Sequence, residues 1–112
     1  DAVVGAVAAC AADVAVVCAG REGRFALEDA LCAGVMVRAL ERAGAASGLH
    51  DGAVAARALA EEWGGDLPEA LGRTAAARRL EEIGRGEDVA FCAQVNRTAV
   101  VPRFRDRKIV AE

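Results

Sequence analysis

Two hydrophobic patterns lie next to each other near the start of this chain. Residues 14–18 form a short, continuous run rich in β-branched side chains, which is typical of a strand buried on both faces. Residues 28–43 follow with about four turns of helical spacing, and their central part is apolar on every side. Acidic residues open this segment and arginines close it, as the helix macrodipole favours. The pattern therefore predicts a buried strand followed by a deeply covered helix.

Further helices are predicted on both sides of this pair. Residues 2–12 are rich in alanine and valine and form the first of them. After residue 44, glycines separate several short segments, each of which begins with a residue suited to a helix start. Their predicted positions are 51–63 with Asp51 as the cap, a short helix from Asp66, 74–83 with Thr74 as the cap, and 87–95.

The remaining strand candidates are few. Residues 98–101 are predicted to form a second strand, and residues 108–111 a third one that is antiparallel to it after a turn at Asp106. A strand that is apolar on both faces needs strand neighbours and helices on both sides, and open sheets usually have more strands than this. We therefore predict one α/β domain over residues 1–112, incomplete because strands that precede it are missing.

Composition and charge exclude several classes of partner. Hydrophobic residues make up 54% of the chain, which is enough for a folded core. The 14 basic and 17 acidic side chains give a formal charge of -3, and no run of lysine or arginine marks a nucleic-acid site. The apolar stretches are too short to span a bilayer, so no membrane partner is expected.

The four cysteines carry no metal-site spacing. They lack a Cys-x-x-Cys pair, and a single histidine accompanies them. Because all four lie in apolar runs, we expect reduced, buried thiols and a cytoplasmic protein. The residues are Cys10, Cys18, Cys32 and Cys92.

The candidate chemistry is concentrated between the predicted strand and the helix that follows it. Gly20, Arg21, Glu22, Gly23 and Arg24 form a loop at the carboxyl end of that strand, where open α/β sheets bind ligands. The two glycines allow the backbone to approach a phosphate, and the two arginines can clamp its oxygens. The helix N-terminus behind the loop also favours anions. The sequence therefore offers a candidate phosphate site, although glycine turns between strands and helices are common.

Carboxylates at the same place offer hard oxygen ligands. Glu28 and Asp29 open the helix, and Glu22 lies in the loop. Mg²⁺ typically takes one or two carboxylates together with substrate phosphate oxygens, so this set suits that ion. The alternative is that Glu28 and Asp29 only stabilise the helix start.

The same stretch resembles a known family. Residues 16–29, VVCAGREGRFALED, followed by CAG at 32–34, resemble the central signature of the 2-phosphosulfolactate phosphatase family. Residues 78–84, EDVAFCA at 87–93 and VVP at 100–102 are similar to its later segments. The resemblance covers nearly the whole chain in order. It departs at Ala26, where the family commonly has serine, and in the absence of the family's N-terminal half.

The resemblance implies a three-layer α/β/α fold and a Mg²⁺-dependent phosphatase of coenzyme M biosynthesis, which releases sulfolactate and phosphate. From their shared loop, we expect Glu28 or Asp29 to act as a metal ligand or to orient the attacking water. Arg21 or Arg24 would bind the phosphate or, alternatively, the sulfonate of the substrate, with Gly20 and Gly23 completing the phosphate site. The small phosphate ester would be the partner. The apolar residues 2–12 and Trp63 suit contact with the missing half or, alternatively, a homo-oligomer interface.

Two alternatives to this function stay open. The chain could be a non-catalytic remnant that keeps the scaffold as a binding or oligomerisation module, as the missing half and Ala26 suggest. It could also be part of a phosphatase for a different small organic phosphate.

Overall fold

Six helices and one β-hairpin follow one another along the chain in the computed structural model, which describes residues 1–111. The helices are α1 Ala2–Ala8, α2 Leu27–Arg42, α3 Asp51–Trp63, α4 Leu67–Gly72, α5 Ala75–Glu82 and α6 Glu87–Cys92. The strands are β1 Pro102–Arg105 and β2 Lys108–Ala111. The described residues therefore form a mixed fold of helices and one small sheet.

The core lies where α2 packs against α3 and the start of α4. Leu31 of α2 is 1% exposed, and Ala60 of α3 and Ala70 of α4 are buried beside it. Larger, partly buried side chains surround these three residues, namely Val35, Leu59, Trp63, Leu67 and Leu71. The predicted deep burial of the second helix is thus confirmed along the side that faces α3.

Small side chains let α2 and α3 approach closely. A Cβ added to Gly34 would overlap the backbone carbonyl oxygen of Ala56 and lie 2.9 Å from the Cβ of Ala60. Arg38 Nη1 donates a hydrogen bond to the carbonyl oxygen of Ala60 at 2.9 Å, which ties the two helices together one turn further on. Glycine at position 34 therefore sets the distance between the two helices.

Thr74 caps α5 as predicted, and Asp66, predicted as a helix start, caps α4. The hydroxyl of Thr74 accepts a hydrogen bond from the N–H of Ala77 at 3.0 Å, and Asp66 Oδ1 accepts one from the N–H of Glu69 at 3.1 Å. The cap predicted at Asp51 is wrong, because Asp51 is the first helical residue and His50 takes the cap position without a side-chain hydrogen bond.

The buried strand predicted at residues 14–18 is not formed. These residues have no regular secondary structure, and Val17 is 88% exposed. Strand pairing needs a neighbour, and no strand within residues 1–111 lies alongside this segment. Within residues 1–111, no sheet has helices on both of its faces. The predicted three-layer α/β/α arrangement is therefore not seen in the described residues.

The chain instead forms a hairpin near its end. β1 pairs antiparallel with β2, with Phe104 opposite Ile109, and Asp106 and Arg107 form the turn at φ values of 49° and 63°. The predicted turn at Asp106 and the strand at residues 108–111 are confirmed. The strand predicted at 98–101 is wrong by four residues, because Pro102 begins the strand rather than ending it, as a sheet edge allows.

The expectation of buried thiols is also wrong. All four cysteines are exposed residues, because they lie in irregular segments or on helix faces turned away from the core. Within residues 1–111, none of the helices combines the length and the apolar character that a membrane span requires.

Candidate functional site

The loop of residues 20–24 is a tight hairpin turn. The N–H of Arg21 donates to the carbonyl oxygen of Arg24 at 3.0 Å, and the N–H of Arg24 donates back to Arg21 at 2.9 Å. Glu22 and Gly23 occupy the corner with φ values of 52° and 72°. Two successive positive φ values are the pattern of a type I′ turn, in which glycine is favoured. The turn fixes where both arginine side chains leave the backbone.

Gly20 connects this turn to α2. Its φ is 68°, and a Cβ added there would lie 2.6 Å from the carbonyl oxygen of Arg24. Its N–H donates to Asp29 Oδ2 at 2.8 Å, so the carboxylate in the first turn of α2 holds the start of the loop. Glycine at position 20 is thus required both by the backbone conformation and by the close approach of Arg24.

Replacing Gly20 by alanine should therefore disturb the loop. A left-handed conformation costs alanine about 1–2 kcal/mol, and the contact with the Arg24 carbonyl adds to that cost. We expect the free energy of unfolding to fall by about 2 kcal/mol and amide exchange in the loop to accelerate.

Gly48→Ala is the matched control, because nothing lies within 4 Å of a Cβ added there and its φ is not in the left-handed region. Urea denaturation of the two variants measures the difference. Equal stability of the two proteins would show that the 20–24 turn carries no such constraint.

Two adjoining clefts separate this loop from the N-terminal part of α5. The smaller measures about 270 Å³ and includes Glu28 and Arg73, and the larger measures about 360 Å³ and includes Arg24 and Arg79. Both are lined by Arg21, Phe25, Ala75 and Arg78. The 20–24 loop thus faces a second group of side chains, from α5 and the residues before it. Their proximity to the loop was not predicted from the sequence.

Arginine dominates the charge of the clefts. Among their charged lining residues, Arg79 is paired with Glu82 at 3.0 Å. The rest are four arginines and two glutamates, in a chain whose formal charge is -3. They are Arg21, Arg24, Arg73, Arg78, Glu22 and Glu28. The clefts therefore form a positively charged region on an acidic chain, which suits a small anion.

The N-terminus of α2 opens into the smaller cleft. Ala26 is its cap residue and forms no side-chain hydrogen bond, and Ala26, Leu27 and Glu28 all line the cleft. Since no side chain caps the first turn, its N–H groups can serve an anion from the cleft. The smaller cleft therefore combines arginine side chains with a helix N-terminus, which also carries a partial positive charge.

The two candidate carboxylates have different surroundings. Glu28 and Asp29 are both half-buried, but Glu28 lines the smaller cleft whereas Asp29 Oδ2 is engaged by the N–H of Gly20. Within residues 1–111, no group of three or more histidine, cysteine or acidic side chains is arranged to hold a metal ion. A Mg²⁺ ion here would be coordinated by one or two carboxylates and by ligand oxygens, which is the usual coordination of Mg²⁺ in proteins.

The thiol of Cys32 lies near the same turn of α2. Partial burial of its sulfur raises the pKa of the Cys32 thiol, and the neighbouring Cys18 and Asp29 raise it further. The thiol is therefore protonated at neutral pH and is a poor nucleophile. Cysteine chemistry is not favoured at this site, as the sequence had also indicated.

Sequence reasoning missed the part of the site on the far side of the clefts. The helical spacing of residues 74–83 places Arg78 and Arg79 opposite the apolar face, which predicts a solvated position, and the sequence gives no signal specific to Arg73. The general signal available was the position of Arg73 and Arg78 near the start of a helix, since an anion site can form there. What the pattern could not show is that this start lies beside the 20–24 loop.

Comparison with known proteins agrees with the loop signature. The family model of 2-phosphosulpholactate phosphatase matches residues 1–107. A protein of Thermus thermophilus named as a probable 2-phosphosulfolactate phosphatase is 43% identical over 95 residues, which is 85% of this chain and 39% of that protein. A protein of Methanothermobacter thermautotrophicus named 2-phosphosulfolactate phosphatase is 38% identical over 109 residues, or 97% of this chain and 46% of that protein.

The similarity extends over most of this chain but over only part of each relative. A further probable 2-phosphosulfolactate phosphatase, from Gloeobacter violaceus, is 43% identical over 79% of this chain and 35% of its own length. The chain thus spans less than half the length of these three curated relatives. Because the family model covers residues 1–107 of the 112, the chain belongs to the 2-phosphosulfolactate phosphatase family.

Proposed function

We propose that the protein containing this chain is a Mg²⁺-dependent phosphatase that hydrolyses 2-phosphosulfolactate to sulfolactate and phosphate, as a step of coenzyme M biosynthesis. The observation that carries the proposal is the pair of arginine-lined clefts at the N-terminus of α2, with Glu28 inside the smaller one. Membership of the family and the names of the relatives support the choice of substrate. A cytoplasmic location fits a soluble metabolite of this kind.

The 20–24 turn would bind the phosphoryl group. Gly20 and Gly23 allow the backbone to bend toward it, while Arg21 and Arg24 offer guanidinium groups that match its oxygens in pairs. Arg21 lines both clefts and Arg24 only the larger one, whereas the N-terminus of α2 lines the smaller cleft and would add a partial positive charge there. The phosphoryl group would thus be held by donors that are already in place before it arrives.

Glu28 and Asp29 would hold the metal ion and act as the catalytic carboxylates. Glu28 lines the smaller cleft and Asp29 follows it in the first turn of α2, so Mg²⁺ bound here would take one or two carboxylates and otherwise depend on ligand oxygens. When bound, Mg²⁺ would supply neutralisation of charge on the phosphoryl oxygens. The contact with Gly20 uses Asp29 Oδ2, so Glu28 has the more open position.

The residues of the chain can support an in-line displacement. A carboxylate of Glu28 or Asp29 would orient a water molecule toward phosphorus, and the arginines would stabilise charge on the phosphoryl oxygens. The bond from the water oxygen to phosphorus forms while the bond to the ester oxygen breaks, and that oxygen leaves with a proton as the hydroxyl of sulfolactate. No covalent intermediate on the protein is required.

The remainder of the protein would complete both the fold and the site. The exposed valines of residues 14–18 suit burial between strands that residues 1–111 do not supply, as in a three-layer α/β/α domain. We propose that the N-terminal half packs against this segment and contributes further groups to the clefts. The apolar residues of α1 would contact the same half or a second copy of the protein.

Phosphate release from 2-phosphosulfolactate by the full-length protein tests this function. We expect hydrolysis with Mg²⁺ present, its loss on addition of EDTA and its recovery when Mg²⁺ is restored. A folded, Mg²⁺-supplied protein that released no phosphate from this ester would contradict the proposal.

The same assay separates the alternatives. Hydrolysis of a different small phosphate ester alone would keep the chemistry and change the substrate. Absence of any hydrolysis would favour a non-catalytic binding module, for which the uncapped position at Ala26 is the supporting observation.

A further inference from the structure

Arg78 is held in a defined position between the two clefts. Its Nη1 donates to the carbonyl oxygen of Arg73 at 3.0 Å, and it lines both clefts together with Arg21. The guanidinium of the same Arg73 lies over the ring of Trp63, 4.8 Å from its centroid. The hydrogen bond to the Arg73 carbonyl orients the exposed guanidinium of Arg78 before a ligand arrives.

The charge of Arg78 is not neutralised by a neighbouring carboxylate. Within residues 1–111, Arg78 forms no ion pair, whereas the adjacent Arg79 is paired with Glu82 at 3.0 Å. The hydrogen bond to a carbonyl oxygen uses one N–H group of the guanidinium and leaves its charge in place. A fixed, uncompensated guanidinium at a cleft is suited to an anionic group of a ligand.

Arg78 reaches the clefts from α5, whereas the donors proposed for the phosphoryl group come from the 20–24 turn and α2. A small ester with a single anionic group needs to contact only one side of the clefts, either α5 or the 20–24 turn with α2. 2-Phosphosulfolactate, however, carries a carboxylate and a sulfonate in addition to its phosphoryl group. The smaller cleft, at about 270 Å³, has the size for a three-carbon ester that contacts both sides.

We propose that Arg78 binds a second anionic group of the substrate, the sulfonate or the carboxylate, and so selects for organic phosphates that carry one. This inference rests on the proposed function for the identity of the ester. Trp63 lines neither cleft and acts only through its contact with Arg73.

Kinetics on three substrates test the subsite in the full-length protein. These are 2-phosphosulfolactate, 2-phospholactate, which lacks the sulfonate, and the phosphate ester of isethionate, which lacks the carboxylate. Arg78→Gln should raise KM for 2-phosphosulfolactate by about tenfold to a hundredfold with little change in kcat. The increase should disappear for the ester that lacks the group bound by Arg78, and which ester that is identifies the group.

Arg85→Gln is the matched control, since Arg85 is an exposed arginine just beyond α5 that lines neither cleft. It should leave KM for all three esters unchanged. If Arg78→Gln raised KM equally for all three esters, Arg78 would act on the phosphoryl group or on the fold, and the proposal would be overturned.

Direct binding of sulfolactate keeps this test separate from the test of the phosphatase. Sulfolactate has no phosphoryl group, so its binding, measured by calorimetry, reports on the second subsite without turnover. Arg78→Gln should weaken it at least about tenfold, and Arg85→Gln should not. Hydrolysis without a difference between the variants would reject the subsite alone, whereas selective sulfolactate binding without hydrolysis would reject only the phosphatase.

Discussion

Replacing Glu28 by glutamine should lower the kcat of the full-length protein at least about a hundredfold and weaken its activation by Mg²⁺. Glu28 is the carboxylate that lines the smaller cleft, so its charge is the one placed beside the proposed phosphoryl position. Glutamine keeps the size of the side chain but is a weak ligand for a hard cation. The measurement is phosphate release over a Mg²⁺ titration.

Glu87→Gln is the control for this change. Glu87 also lies in the first turn of a helix, α6, but lines neither cleft, so its replacement should leave kcat unchanged. Both variants lose one carboxylate at a helix start and should lose similar, small amounts of stability. Full Mg²⁺-dependent activity in Glu28→Gln would remove Glu28 from the proposed metal site.

Asp29→Asn separates the two proposed roles of the neighbouring carboxylate. Asparagine can still accept the hydrogen bond from Gly20, which Asp29 Oδ2 receives at 2.8 Å, but it carries no charge. Loss of activity in this variant would indicate a metal ligand. Retained activity would indicate that Asp29 serves to anchor the loop.

Gly34→Ala should destabilise the protein by about 2–3 kcal/mol, although alanine is the better helix former by about 1 kcal/mol. The added methyl group would overlap the carbonyl oxygen of Ala56, a backbone atom of α3 that cannot turn aside as a side chain would. The helices must then move apart around Leu31 and Ala60, which are almost completely buried. Urea denaturation followed by circular dichroism measures the loss.

Gly52→Ala is the matched control for the helix pair. Gly52 is also a helical glycine, in α3, but nothing lies within 4 Å of an added Cβ. This variant should gain about 0.5–1 kcal/mol from helix propensity alone. A Gly34→Ala protein as stable as Gly52→Ala would show that the close approach of the two helices is not a constraint.

The local features of the fold could be predicted from the sequence. The helix predicted at residues 28–43 differs from α2 by one residue at each end, Thr74 caps its helix as predicted, and a helix starts at Asp66 as predicted. The turn at Asp106 was also predicted. Each of these depends on contacts between residues that are close in the chain, such as a side chain and the N–H three positions later.

The features that failed depend on distant partners. Residues 14–18 have the composition of a buried strand, but pairing requires another strand, and residues 1–111 place none beside them. Arg78 is exposed, as the pattern of a solvated helix face predicts, but its place in the clefts results from the packing of α5 near the 20–24 loop, which the pattern cannot show. The loop half of the candidate site was therefore visible in the sequence, and the α5 half was not.

The exposed segment at residues 14–18 also has a consequence for solubility. Val16 and Val17 lie in a stretch that forms no backbone hydrogen bonds within residues 1–111. An apolar segment with free backbone donors and acceptors is a template on which other chains can add as strands, and this is the usual start of aggregation. The N-terminal half that we propose to pack against this segment would therefore also protect it from self-association.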